Sequence, residues 1–285
     1  MLKLILDAYF LSLTASLSLG IAFPDIAEQL FSYGKSLGKE ESHDRSYGFV
    51  YRMITFRVPK RWFWHFYAVG TVFNAALIWC NASFWNILFE THLVRRLAES
   101  LFLEQHSSES KILLGHYIVG ITFYIATSLS INLSTASEGV VAPLLCVVAQ
   151  VCQFQCHQTL AALRAETALD STYSLPCEGW FSQSSSPHYF FEVILYSALF
   201  LGCGCSETMF YCLLWVTSNL TITAKQTHAW YLQHFSSDAS AVKVIRGRNV
   251  LVTSWSLVVA VIMLALYSWS GVALDKWMGS VRVNE

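Results

Sequence analysis

The sequence predicts an all-α, polytopic membrane helix bundle of about six or seven transmembrane helices, and three observations carry that reading. Hydrophobic residues make up 54% of the 285 residues, charged residues only 13%, and the mean hydropathy is +0.45, which is too apolar for an ordinary soluble domain. Apolar runs at or near the roughly 20 residues that a spanning helix needs recur along the chain. Ten Trp and thirteen Tyr are supplied in numbers that suit interfacial belts. A net charge of −1, with no basic block beside stacking aromatics, argues against a nucleic-acid partner.

The runs are Leu2 to Phe23, Phe63 to Leu88, Leu113 to Leu133, Val140 to Phe154, Tyr189 to Cys205, Met209 to Ile222 and Val250 to Val272. The first has a Lys near its start and could pass for a secretory signal. Asp7 inside its core and the lack of a clean small-x-small cleavage site predict an uncleaved helix instead. The loop from Pro24 to Arg61 is rich in Lys and Arg, which the positive-inside rule places in the cytosol. Leu93 to Leu103 is weakly apolar and is expected either to extend the second helical hairpin or to lie in the interface. Gln153 to Pro187 reads as a long connector, with Arg164, Tyr173 and Trp180 along it and no glycine-rich phosphate cradle.

Seven of the eight cysteines fall in or beside apolar runs, where Cys behaves as a small hydrophobe. Cys152-x3-Cys156-His157 resembles half a zinc site, but no second half follows at ligand spacing, so no metal is expected. The sequons at Asn81, Asn132 and Asn219 lie in or against membrane runs, and glycosylation is not expected there.

Polar residues recur where burial should exclude them, and such residues mark functional sites by default. His188, Glu192 and Tyr196 stand four apart and share one helix face. Lys225, His228 and Tyr231 repeat every third residue on another segment. His92, Arg95, Arg96 and Glu99 cluster on one side of a third, where Arg96 and Glu99 could pair and lessen the cost of burial. Three stripes in one chain read either as helix-end anchors or as the walls of a polar cavity.

At these positions the sequence resembles the steroid 5α-reductase family, and within it the polyprenol (polyprenal) reductase branch. The resemblance runs from about Val58 to Phe235. It rests on Pro59-Lys60-Arg61-Trp62-Phe63 with His65-Phe66-Tyr67, on His92-Leu93-Val94-Arg95-Arg96-Leu97-Ala98-Glu99, and on Tyr173-Ser174-Leu175-Pro176. Gly179-Trp180-Phe181, Ser185-Ser186-Pro187-His188-Tyr189 with Glu192, and His228-Ala229-Trp230-Tyr231 with Phe235 complete it. It implies a multi-pass enzyme of the endoplasmic-reticulum membrane that uses NADPH to saturate a carbon–carbon double bond of a polyisoprenoid lipid, the step that yields dolichol-type carriers for protein N-glycosylation. Carried over by position, the cofactor-binding residues are Arg164, Tyr173, His188, Glu192, Tyr196, His228 and Tyr231, with His188 where relatives usually have Asn and His157 where the steroid enzymes carry Asp. Hydride addition needs an electron sink, so an α,β-unsaturated aldehyde suits the reaction better than the allylic alcohol. His92 and Arg96 are the residues expected beside the substrate oxygen, where donors stabilise developing charge, with Tyr231 as the alternative.

The resemblance divides the chain into a membrane reductase domain, 1–235, and a divergent C-terminal tail, 236–285. Ser236-Ser237-Asp238-Ala239 replaces the Tyr-Pro-x-x-Arg-Lys-like segment with which relatives help hold the nucleotide, and Arg246 and Arg248 are poor substitutes by spacing. Competing readings are a steroid or enoyl reductase within the family, an isoprenylcysteine methyltransferase-like enzyme, and an inactive membrane scaffold.

Overall fold

The structure, a computed structural model, describes residues 1–22, 56–104, 110–167 and 173–251. The loop after Phe23 up to residue 55, and most of the run from Val250 to Val272, lie outside the described residues. Helices dominate: α1 (Leu2–Ala22), α2 (Trp64–Cys80), α3 (Phe84–Ala98), α4 (Leu114–Leu133), α5 (Val141–Thr167), α6 (Pro187–Gly202), α7 (Glu207–His234) and α8 (Ala239–Arg246). The chain is an all-α polytopic membrane protein. Among the described residues, Leu2–Leu19, Lys60–Cys80 and Leu114–Leu133 are long and apolar enough to cross a bilayer. At 27 and 28 residues, α5 and α7 exceed the required length, but polar side chains dilute their apolar character.

Two runs break differently from the sequence reading. Phe63 to Leu88 is not one span: α2 stops at Cys80, Asn81 turns to extended backbone, and α3 begins at Phe84 after Ser83. The expected connector from Gln153 to Pro187 is helical as far as Thr167. Gln153, His157, Leu160 and Arg164 all border one cavity, and their spacing of four, three and four residues is that of a helix face.

The bundle pairs α2 with α3 and α4, α5 with α6, and α7 with α1 and α6. A short antiparallel ladder that the sequence does not announce, β1 (Arg57–Pro59) against β2 (Lys111–Leu113), ties the starts of α2 and α4 together with Val58 opposite Ile112, both buried. Aromatic rings fill the centre: Phe10 meets Phe123 edge-on at 6.2 Å, and Phe123 lies 5.7 Å from Tyr196. Apolar contact cannot by itself hold helices together in lipid, so polar clasps matter. Asn74 donates to the Asn86 carbonyl (2.9 Å) and to Glu90 (2.7 Å), while Asn86 donates to Asn74 Oδ1 (2.7 Å) and the Ser128 carbonyl (3.2 Å), joining α2, α3 and α4. A second clasp explains the aspartate in α1. Lys3 bonds both Asp7 (2.7 Å) and Glu207 (2.6 Å), and Thr208 donates to Asp7 at 2.5 Å, fastening α1 to the start of α7.

The chain after α7 turns back on the bundle. Asp238 caps α8 through the backbone N–H groups of Ser240 (2.9 Å) and Ala241 (3.1 Å). The Ser240 hydroxyl and those amides hold the Asp238 carboxyl below its ordinary range. Beyond α8, Asn249 bridges to Ser184 just ahead of α6.

Candidate active site

A cavity of about 430 Å³ opens among α1, α2, α4, α5, α6 and α7. One wall is apolar, with Leu13 and Leu17 of α1 facing Val216 and Leu220 of α7. The other is built around Arg96, the last basic residue of α3, which is 9% exposed. Its guanidinium donates to the Tyr67 hydroxyl from Nε (3.2 Å) and Nη2 (2.8 Å), to Glu104 at 3.0 Å, and to Glu99. It also lies 4.9 Å from the Tyr67 ring centroid. The backbone changes from α-helix to a π-helical turn over Glu99–Leu103, and this wider turn leaves Glu99 between both arginines, bonded also to Arg95.

His157 reaches this network from α5. Its Nδ1 is 2.7 Å from Glu99 and 2.8 Å from Arg96. One ring nitrogen cannot donate to the first and accept from the second, so the tautomer decides which bond is made. His92 is fixed more firmly. Arg95 can only donate, so His92 Nδ1, 3.2 Å from Arg95 Nη2, accepts and the ring proton sits on Nε2, aimed at the Glu192 carboxylate 3.6 Å away. Gln153 accepts from Arg95 and donates to Glu192, linking α3 to α6 through α5.

The nine residues singled out from sequence divide into three groups. Arg96, Arg164, His188, Glu192 and Tyr196 border the cavity together. His92 is not in the lining: it is fully buried, stacked on Phe89 at 5.8 Å, with its Nε2 3.6 Å from Glu192 and without a hydrogen-bond partner. Tyr231, Tyr173 and His228 form a separate cluster beyond the α6 N-terminus, with Tyr173 packed edge-on against Trp230 (4.8 Å) and 6.4 Å from Tyr231, and Ser185 Oγ 2.8 Å from His228 Nδ1. None of the three lines the cavity itself, but Tyr173 and Tyr231 adjoin two residues that do, Arg164 and Tyr189.

Sequence reasoning gave no role to Tyr67, Gln153 or Glu104, although Tyr67 closes the His65-Phe66-Tyr67 motif and Gln153 stands four residues before His157. Among the described residues on the cavity wall, the Tyr196 hydroxyl and His188 Nδ1 are buried without a hydrogen-bond partner. Buried polar atoms are rarely left so unless a ligand completes them. With Lys60 and Arg164 bringing two cations to the same cavity, the residues present fit an anionic dinucleotide.

A buried polar network lining a cavity among membrane helices defines the class as a membrane-embedded protein with an internal polar site. The family model for 3-oxo-5-alpha-steroid 4-dehydrogenase matches residues 112–245, from β2 through most of α8. A polyprenal reductase from Saccharomyces cerevisiae is 32% identical, covering 84% of this chain and 92% of its own length. The chain belongs to this steroid 5α-reductase family of oxidoreductases. Polyprenal reductases from Caenorhabditis elegans (27% identical, 81% of this chain and 92% of theirs) and Danio rerio (26%, 76% and 86%) are similar along most of their length.

Proposed function

We propose that this chain reduces the α-isoprene double bond of a polyprenal, with NADPH as reductant, at the endoplasmic-reticulum membrane, in the route to dolichol-type lipids that support N-glycosylation. The observation that carries this reading is the Arg96–Tyr67 pair at the inner end of a cavity whose opposite wall, between α1 and α7, is apolar. The names of the relatives support the aldehyde, and conjugation of its carbonyl supplies the electron sink.

Arg164 and Lys60 would hold the cofactor's phosphates, with Tyr196 and His188 offering polar contacts deeper in. NADPH, when bound, supplies the hydride. The apolar wall accommodates the first isoprene units while the remainder of the tail stays in lipid. Tyr67 accepts two N–H bonds from Arg96, which polarises its phenol. Tyr67 and the orphaned Tyr196 hydroxyl are therefore the donors we assign to the carbonyl oxygen, where negative charge grows as the double bond is reduced. Glu192, held by the Gln153 amide, keeps the nearby face acceptor-rich.

Membranes expressing the full chain should convert a polyprenal to its α-saturated product with NADPH, read as a gain of two mass units, and leave a 4-ene-3-oxo steroid untouched. Silence toward polyprenal with detectable protein would overturn the reading. Tyr196→Phe should lower kcat/KM by about 100-fold, the size of a lost oxyanion donor. Glu192→Gln should lower turnover beyond any change in protein level, whereas Tyr231→Phe, whose hydroxyl pairs with Tyr173 next to the cavity-lining Tyr189, should act mainly on the KM for NADPH. A Tyr196→Phe enzyme of parental rate would remove that hydroxyl from the chemistry.

A further inference from the structure

We infer that Arg248, in the tail that departs from the family pattern, is a phosphate-binding side chain, and that its phosphate belongs to the dinucleotide, the latter resting on the function proposed above. The tail is locked to the segment ahead of α6 by main-chain bonds. Asn249 N–H donates to the Gln183 carbonyl (3.0 Å) and Ser185 N–H donates to the Asn249 carbonyl (2.9 Å). That lock carries Arg248 inside while Arg246, two residues earlier, stays exposed. Spacing along the chain therefore misjudges Arg248, because α8 and the turn at Gly247 fold it back onto the bundle.

Arg248 is 5% exposed, and its guanidinium is under-satisfied. Nη2 donates to Cys177 Sγ at 3.1 Å, Nε and Nη1 have no acceptor, and among the described residues no carboxylate pairs with it. A buried cation without a counter-charge is strongly unfavourable, and a guanidinium keeps its charge at any physiological pH. A second orphan stands in the segment to which the tail is locked: the Ser186 hydroxyl, fully buried and without a partner. Cys177, which accepts from Nη2, is exposed, so the guanidinium lies beneath a surface side chain. Its unpaired Nε–H and Nη1–H are charged donors that phosphate oxygens would satisfy. In the same segment Ser185 bonds His228, so this corner joins the cluster that contains Tyr231 and Tyr173.

The test is a titration of the purified full chain in detergent micelles, following NADPH fluorescence without substrate. Arg248→Gln should weaken NADPH binding by about tenfold or more, as loss of a charge-assisted contact implies, and Arg246→Gln should leave it unchanged. Arg248→Lys keeps the charge but not the paired geometry and should fall between; it serves also where the Gln variant does not accumulate. Equal NADPH affinity in parent, Gln and Lys variants would overturn the inference. A parallel arm measures the melting temperature with inorganic pyrophosphate. Stabilisation of the parent but not of Arg248→Gln supports the phosphate site even if NADPH fails to bind, an outcome that sinks the proposed cofactor alone. No response to either probe removes Arg248 as an anion site. Arg248-dependent binding of a polyprenyl phosphate, with NADPH binding indifferent to the substitution, would overturn the nucleotide assignment.

Discussion

Arg96→Leu is expected to abolish measurable reduction and to leave a markedly less stable protein. The substitution removes four polar connections together, to Tyr67, Glu99, Glu104 and His157. Glu99 keeps Arg95, but Glu104 and the Tyr67 oxygen lose the guanidinium, and breaking a buried ion-pair network by removing one partner costs about 3–5 kcal/mol. Arg96→Lys separates folding from chemistry. A lysine keeps the positive charge near Glu99 yet cannot span Tyr67, Glu99 and Glu104 from one planar group, so the protein should accumulate while kcat falls by about 100-fold or more. The pair is read by detergent melting curves beside polyprenal turnover. An Arg96→Lys enzyme with near-parental kcat would show that charge alone suffices and that Tyr67 needs no directed donor.

Gly202→Ala should be the most damaging single-methyl change in the bundle. A Cβ at Gly202 would lie 1.9 Å from Cζ2 and 2.2 Å from Cε2 of Trp85, far inside any tolerable contact. Trp85 is 2% exposed and packs at the α3 start, so its indole has no free volume to enter. Overpacking of this severity costs about 3 kcal/mol, the upper part of the usual range. Combining it with Trp85→Phe, which removes the colliding ring edge, should restore much of the loss. A double-mutant cycle on melting or chemical unfolding in detergent measures that coupling. If Gly202→Ala melts with the parent, the α3–α6 contact is looser than the structure has it.

The polar stripes were legible in the sequence to the extent that their spacing matched a helix. His188, Glu192 and Tyr196 advance about 40° per step on a 3.6-residue helix, and all three reach the same cavity. His92, Arg95, Arg96 and Glu99 stay within one flank and form one network, with the anticipated Arg96–Glu99 pair present. Lys225, His228 and Tyr231 drift by about 60° per step, so the stripe dissolves: Lys225 is exposed and Tyr231 is buried. The cavity instead meets that helix at Val216, Asn219, Leu220 and Thr223. Hydropathy failed at α5 for a related reason. Its cavity face is polar, so a window average drops at Gln153 although the helix continues for more than three further turns. Tyr67 was illegible because nothing local distinguishes a phenol that receives a guanidinium 29 residues away in sequence from one anchored at the interface.

The clasp between α1 and α7 has a consequence for biosynthesis. Asp7 meets Thr208 across 201 positions, so at a ribosomal rate of 5–20 residues per second about 10–40 s pass between their synthesis. Through that interval α1 holds a carboxylate in its apolar stretch without its final hydroxyl partner. Lys3, one turn away on the same helix, is present from the outset and can neutralise it. Leu13 and Leu17 wait on the same event, because the apolar wall of the cavity does not exist until α7 docks. The cavity is thus completed late in translation, and a nascent chain stalled before Glu207 would lack the α7 side of its wall.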